Sequence, residues 1–113
     1  MSARLAAGIE VSGLIRRIEG LGGSAAVLAR GDGEAGAILL ALADRGTFHG
    51  FLERALDAEG RYGWRRAGPL NVEDSQEISH YISRRRAIDG DLWVLELDIA
   101  GVERFAAEMI ATG

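Results

Sequence analysis

Apolar residues at Val11, Leu14, Ile15, Ile18 and Leu21 recur at i, i+3, i+4, i+7 and i+10. That spacing draws one stripe along a helix, with Arg16, Arg17, Glu19 and Gly20 off it. Ser12 is the candidate N-cap and Gly22-Gly23 the stop, so a helix is predicted over about 11–21. Ala25–Arg30 then reads as a strand, and Gly31-Asp32-Gly33-Glu34 as a turn. The run from Gly36 to Leu42 is apolar at nearly every position, which suits a central strand buried on both faces. Asp44-Arg45-Gly46 turns the chain into a third strand over 47–54. Asp57-Ala58-Glu59-Gly60 turns it again into Arg61–Arg66, where polar and aromatic residues alternate. Short turns between these four runs predict an antiparallel meander.

Pro69 breaks the pattern. Asp74-Ser75-Gln76-Glu77 resembles a capping box with aspartate in the leading position, and Ile78, Tyr81, Ile82 and Arg85 trace the inner side of a helix over about 74–87. Asp89-Gly90-Asp91 closes it. Leu92–Leu97 is the clearest strand, with Trp93, Leu95, Leu97 and Ile99 on one face and Leu92, Val94, Glu96 and Asp98 on the other. Val102, Phe105, Ala106, Met109 and Ile110 mark a C-terminal amphipathic helix. The order α-β-β-β-β-α-β-α does not alternate regularly, which argues against a doubly wound sheet. The expectation is an α+β fold with an antiparallel sheet of about five strands, helices packed on one face, and a single domain over residues 1–113. Phe48, Phe51, Tyr62, Trp64 and Trp93 cannot all be placed by pattern. Their joint exposure would leave a sheet face that a homodimer could cover.

Composition narrows the chemistry. The 113 residues are 48% hydrophobic and 27% charged, with net charge −4 and pI about 5.1, which gives no general attraction to nucleic acid or anionic lipid. There is no cysteine, so disulfides, thiolate metal sites and a cysteine nucleophile are excluded. The longest apolar run, Ala37–Ala43, is far shorter than the ~20 residues of a membrane helix. Glu10 and Arg16-Arg17 interrupt any secretory core, so a cytoplasmic location is expected. All thirteen basic residues are arginine, which removes Schiff-base and P-loop lysines.

Candidate chemistry lies in three groups. Arg84-Arg85-Arg86 sits where a helix ends, and its charge suits the negative pole of the helix dipole without any ligand. With Arg65, Arg66 and the neighbouring Trp64 it could also hold a phosphate or carboxylate, or stack bases. Asp89, Asp91, Glu96 and Asp98 are clustered in sequence and would form a divalent-metal site if the fold joined them. His49 and His80, with Glu53 or Glu77, would need the same help. Ser12, Ser75, Ser79 and Ser83 lack a nucleophile-elbow pattern.

Ala7-Gly8-Ile9-Glu10-Val11-Ser12, Arg16-Arg17, Arg30-Gly31-Asp32 and Ala35–Leu39, followed by Arg84–Arg86 and Asp89–Glu96, give the chain a resemblance to a small bacterial family catalogued as a domain of unknown function. The resemblance covers nearly the whole chain. In that family's pattern proline is usual where this chain has Gly33 and Gly90, and tryptophan is frequent where it has Glu10, so no role carries over to Glu10. The resemblance implies one domain and no substrate, cofactor or catalytic residue. Taken together, the sequence points to a non-catalytic binding or protein-interaction module of the bacterial cytoplasm. It would need no cofactor and would act as a homodimer with an unknown protein partner or small ligand. A phosphate or nucleic-acid binder using the arginines, and a divalent-metal-dependent enzyme using the carboxylates, are the alternatives.

Overall fold

The first helix is capped from outside itself. In the computed structural model, which describes residues 5–69, 72 and 74–112, α1 (Ala7–Gly20) starts at Ala6, which offers no side-chain cap. The Ala7 and Gly8 amides instead donate to the carbonyls of Glu34 and Gly33, at 3.1 and 2.9 Å. A tertiary loop thus satisfies the orphan donors that a capping side chain would otherwise take. For that reason the helix begins four residues before the sequence signal at Val11, and Ser12 lies inside it.

The remaining elements follow the expected order: β1 (Ser24–Ala29), β2 (Ile38–Asp44), β3 (Thr47–Leu56), β4 (Tyr62–Ala67), α2 (Ser75–Ile88), β5 (Trp93–Asp98) and α3 (Val102–Thr112). Asp74 caps α2, its carboxylate accepting from the Gln76 amide at 2.9 Å. The α+β class holds. Two details of the expectation do not.

First, the sheet is mixed and the meander is interrupted. Its order is β1-β5-β2-β3-β4. β5 inserts between β1 and β2, antiparallel to β1 and parallel to β2, with Ile38 opposite Trp93 and Leu40 opposite Leu95. β2 and β5 carry larger apolar side chains than β1, and each gains most by lying where both faces are covered. The smaller side chains of β1 are left at the edge.

Second, the helices cover both faces. On one face α1 and α3 pack Val11, Leu14, Ile18, Phe105 and Met109 against Leu40, Leu52, Trp64, Trp93 and Leu95. On the other, α2 lays Ile78, Tyr81 and Ile82 over Leu39, Ala41, Phe51 and Val94. Phe51, Trp64 and Trp93 are therefore buried and Phe48 and Tyr62 half-buried, so the exposed aromatic face imagined for a dimer does not form. Among the described residues no helix is long and apolar enough to cross a membrane.

Turn chemistry fixes the register. Arg45 and Gly46 both have positive φ, 52° and 82°, as a tight two-residue hairpin between β2 and β3 requires. Their amides donate to the two carboxylate oxygens of Asp98, at 2.8 and 2.9 Å, which ties this turn to the end of β5. The start of β5 is tied as closely. Asp32 N–H donates to the Asp91 carbonyl at 3.0 Å, and the Trp93 indole donates to the Asp32 carbonyl at 2.8 Å. A Cβ at Gly31 would fall 2.1 Å from the Asp91 carbonyl oxygen, so only glycine lets these backbones meet. At the far hairpin, Asp57 accepts from the Glu59 and Arg61 amides, each at 2.9 Å.

Two outcomes are expected. Phe51 is fully buried between Phe48 and Tyr81, with ring centroids 5.0 and 4.7 Å away, so Phe51→Ala should cost about 3–5 kcal/mol in urea unfolding. The Arg61 amide, opposed by partial desolvation and helped by the Glu59 amide, holds the Asp57 carboxyl below its ordinary pKa. A depressed folded pKa means that the stabilisation is present above the ordinary carboxylate value and is lost as pH falls through the folded one. The β3–β4 turn should therefore keep its amide protection down to about pH 4 and lose it in stronger acid. An NMR titration following Asp57 and the Arg61 amide checks this, and Asp57→Ala should abolish the step.

Candidate functional site

Of the arginines singled out by sequence, Arg65, Arg66 and Arg85 are divided by the sheet and paired with carboxylates. Arg65 and Arg66 are consecutive on β4 and so point to opposite faces. On the α2 face, Glu53 of β3 receives Arg65 Nε at 2.8 Å and Arg85 Nη2 at 2.8 Å, and Arg85 Nη1 donates to the Tyr81 hydroxyl at 2.8 Å. Burial disfavours the charged form of Arg85, but its hydrogen bonds to Tyr81 and Glu53 prevail and raise its pKa. On the α3 face, Arg66 bonds Glu103 at 2.8 Å and the His49 carbonyl at 3.2 Å, while His49 Nδ1 lies 3.3 Å from the same glutamate. Arg84 and Arg86 are exposed on α2. Trp64 is a core residue, with little ring left for stacking a base.

The carboxylates are likewise dispersed. Asp89 accepts from the Asp91 amide at 3.0 Å before β5 begins, and Asp98 holds the β2–β3 turn at its far end. A six-residue strand of about 20 Å separates them. Among the described residues no group of three or more histidines, aspartates or glutamates could hold a metal ion. His49 abuts α3 and His80 belongs to α2, on opposite sides of the sheet.

A different set of residues shares a cleft. Between α1, the C-terminal end of α3 and the β3–β4 hairpin lies a cavity of 560 Å³, lined among others by Ile9, Glu10, Arg16, Arg54, Trp64 and Met109. The alternation of β3 sends Leu52 and Arg54 to the α1 face, opposite Arg66 and Trp64 of β4. Arg54 Nε meets Glu10 Oε2 at 3.2 Å, with the two side chains only 15% and 10% exposed. The Arg54 guanidinium lies 5.5 Å from the Trp64 ring and 5.9 Å from the Tyr62 ring, within cation–π range. Glu10 stands in the first turn of α1, where the positive end of the helix dipole favours an anion.

One turn further along α1, Gly13 also lines the cleft, and a Cβ there would meet nothing within 4 Å. Packing thus gives no reason for glycine in mid-helix. Arg16 and Arg17 stand beyond it, both exposed. Arg17 also lies over Phe105 at 4.9 Å and borders a neighbouring depression with Arg104. The cleft therefore joins an apolar wall, a polarised ion pair and two solvent-facing guanidinium groups.

Sequence reasoning missed this set. The available signals were an arginine two residues from Leu52, on the core-facing side of a strand, and a glycine inside a helical stripe. Pairing Arg54 with Glu10 needed the tertiary fold.

The Glu53 pairs provide a test of relative burial. Arg85 is 26% exposed and Arg65 61%. A double-mutant cycle with Glu53→Gln should give a coupling of about 1–3 kcal/mol to Arg85→Met and below about 1 kcal/mol to Arg65→Met. Equal couplings would contradict this assignment.

The model of the family described as protein of unknown function, DUF1491, matches residues 5–107. An NMR structure of a DUF1491 family protein from Caulobacter crescentus CB15 is 32% identical, with a TM-score of 0.74, and covers 88% of this chain and 90% of that one. A crystal structure of a DUF1491 family protein from the same organism is 33% identical, with a TM-score of 0.73 and coverage of 85% and 89%. The solution structure of protein Atu0922 from A. tumefaciens is 29% identical, with a TM-score of 0.73 and coverage of 88% and 90%. No curated protein matches. The chain belongs to the DUF1491 family.

Proposed function

We propose that this DUF1491 family member is a single-domain, non-catalytic cytoplasmic binding module, and that the cleft between α1, α3 and the β3–β4 hairpin is its ligand site. No activity comes with the family, so the reading rests on the site. The observation that carries it is the cleft's wall of mixed character. Ile9, Leu14, Trp64 and Met109 offer apolar surface, while Arg16 and Arg17 offer charge at the rim. The ligand class that fits is an anion, carboxylate, sulfonate or phosphate, carried on an apolar or planar body. Its body would lie over Gly13, where the helix presents no side chain, and its charged group would face the guanidinium forks. The Glu10–Arg54 pair, flanked by Tyr62 and Trp64, supplies a polar end wall that aligns a ligand without neutralising it.

Native mass spectrometry of the protein purified from cells tests for a retained ligand, with added mass as the supporting result. A direct test uses 8-anilinonaphthalene-1-sulfonate, whose sulfonate and fused rings match the predicted class. The folded protein should enhance and blue-shift its fluorescence. Gly13→Leu fills the floor of the cleft while favouring the helix, so it should weaken binding at least tenfold with thermal stability retained. Arg16→Gln/Arg17→Gln should weaken it and flatten its salt dependence. Undiminished dye binding by a folded Gly13→Leu variant would refute the site.

A further inference from the structure

The two edges of the sheet are treated differently. The β4 edge, Tyr62–Ala67, carries Arg65 and Arg66, and Arg61 precedes it. Charged side chains of this kind discourage another strand from docking. The β1 edge, Ser24-Ala25-Ala26-Val27-Leu28-Ala29, carries no charge and no proline. Among the described residues β1 pairs only with β5, so one row of its backbone N–H and C=O groups faces outward. Val27 and Leu28 are 42% and 50% exposed on this edge. Ser24–Val27 keep regular register with β5, and the irregularity between Val27 and Ala29 sets Leu28 apart.

Beside Leu28, where α2 leaves part of the sheet open, lies a hollow of 280 Å³ bordered by Ala41, Phe48, Ile78 and Ile82. Ser75, Ser79 and the exposed Glu96 also line it, so the uncharged β1 backbone ladder lies next to a seat that is largely apolar with one carboxylate at its border.

The geometry points to a second copy of this chain as the occupant, paired antiparallel through β1 about a two-fold axis into a continuous ten-stranded sheet. A two-fold places identical segments opposite each other, and only an edge free of like charge tolerates that. The β4 edge would bring arginines together, whereas β1 brings alanine and valine. The same axis carries apolar side chains of each copy, Leu28 among them, towards the hollow of the other. The axis is closed, so assembly stops at two copies. This surface lies across the sheet from the β4 side of the ligand cleft, so its failure would leave the binding reading intact.

Sedimentation equilibrium at hundred-micromolar concentration should give twice the 12.1 kDa chain mass. Hydrogen exchange should show the outward amides of Ser24–Val27 protected in the dimer. Val27→Lys and, separately, Leu28→Arg place a charge at an already exposed position, so each should yield a folded monomer with those amides unprotected. A wild-type monomer at that concentration would overturn the proposal. So would a dimer that survives both substitutions, because its interface would lie elsewhere.

Discussion

Strand β5 is buried on both faces along most of its length, with Trp93 and Leu95 turned to one layer and Leu92 and Val94 to the other. A strand of that kind cannot lie at an edge or under a single layer without leaving large side chains in water. Its insertion between β1 and β2 follows, as does the need for helices on both sides. The chain reaches it only after crossing α2, and that crossing makes the β2–β5 pair parallel. Both ends of β5 are then fastened to loops made earlier in the chain. Asp91 and Trp93 hold the 31–36 loop, and that loop in turn caps α1 through Gly33 and Glu34. Asp98 holds the β2–β3 turn.

Charge is distributed under the same constraint. Strand positions that turn inward near the rim of the sheet carry Glu53, Arg54 and Arg66, and each is matched by a partner across a strand or from a helix: Arg65 and Arg85, Glu10, and Glu103. Of the guanidinium groups that the sequence made conspicuous by clustering, Arg65, Arg66 and Arg85 are paired with carboxylates, while Arg84 and Arg86 stay exposed on α2. Arg16 and Arg17, inconspicuous as a pair within a helix, remain turned to solvent beside a cavity.

Legibility in the sequence followed the range of the forces involved. Periodicity is local, and the eight elements lie in the expected order with shifts of a few residues. The largest shift is at α1, whose cap is a loop more than twenty residues away. Sheet order depends on which strands compete for the centre. The uniform apolarity of Ile38–Leu42 did indicate cover on both faces, but α2 concealed itself as the second layer. Only Ile78, Tyr81, Ile82 and Arg85 turn inward, and none is fully buried. The cleft was least legible. Glu10 and Arg54 are 44 positions apart, and nothing in either neighbourhood specifies the other.

Stability alone accounts poorly for what lines that cleft. A largely buried ion pair gains little over apolar residues of similar volume, because desolvation offsets the attraction. Glycine inside a helix costs roughly 0.5–1 kcal/mol relative to alanine, and at Gly13 no neighbouring atom forbids a side chain. A pair that adds little to the fold and a glycine that weakens it thus meet in one cavity, beside a tryptophan and two exposed arginines. Some features of this kind have visible structural reasons, as where Gly31 permits two backbones to touch and Glu53 neutralises two cations, whereas Gly13 shares its open surroundings with Gly20, Gly33, Gly63 and Gly90. At Gly13 the helix gives up a side chain and gains only open volume, which is useful to the protein if something else fills it.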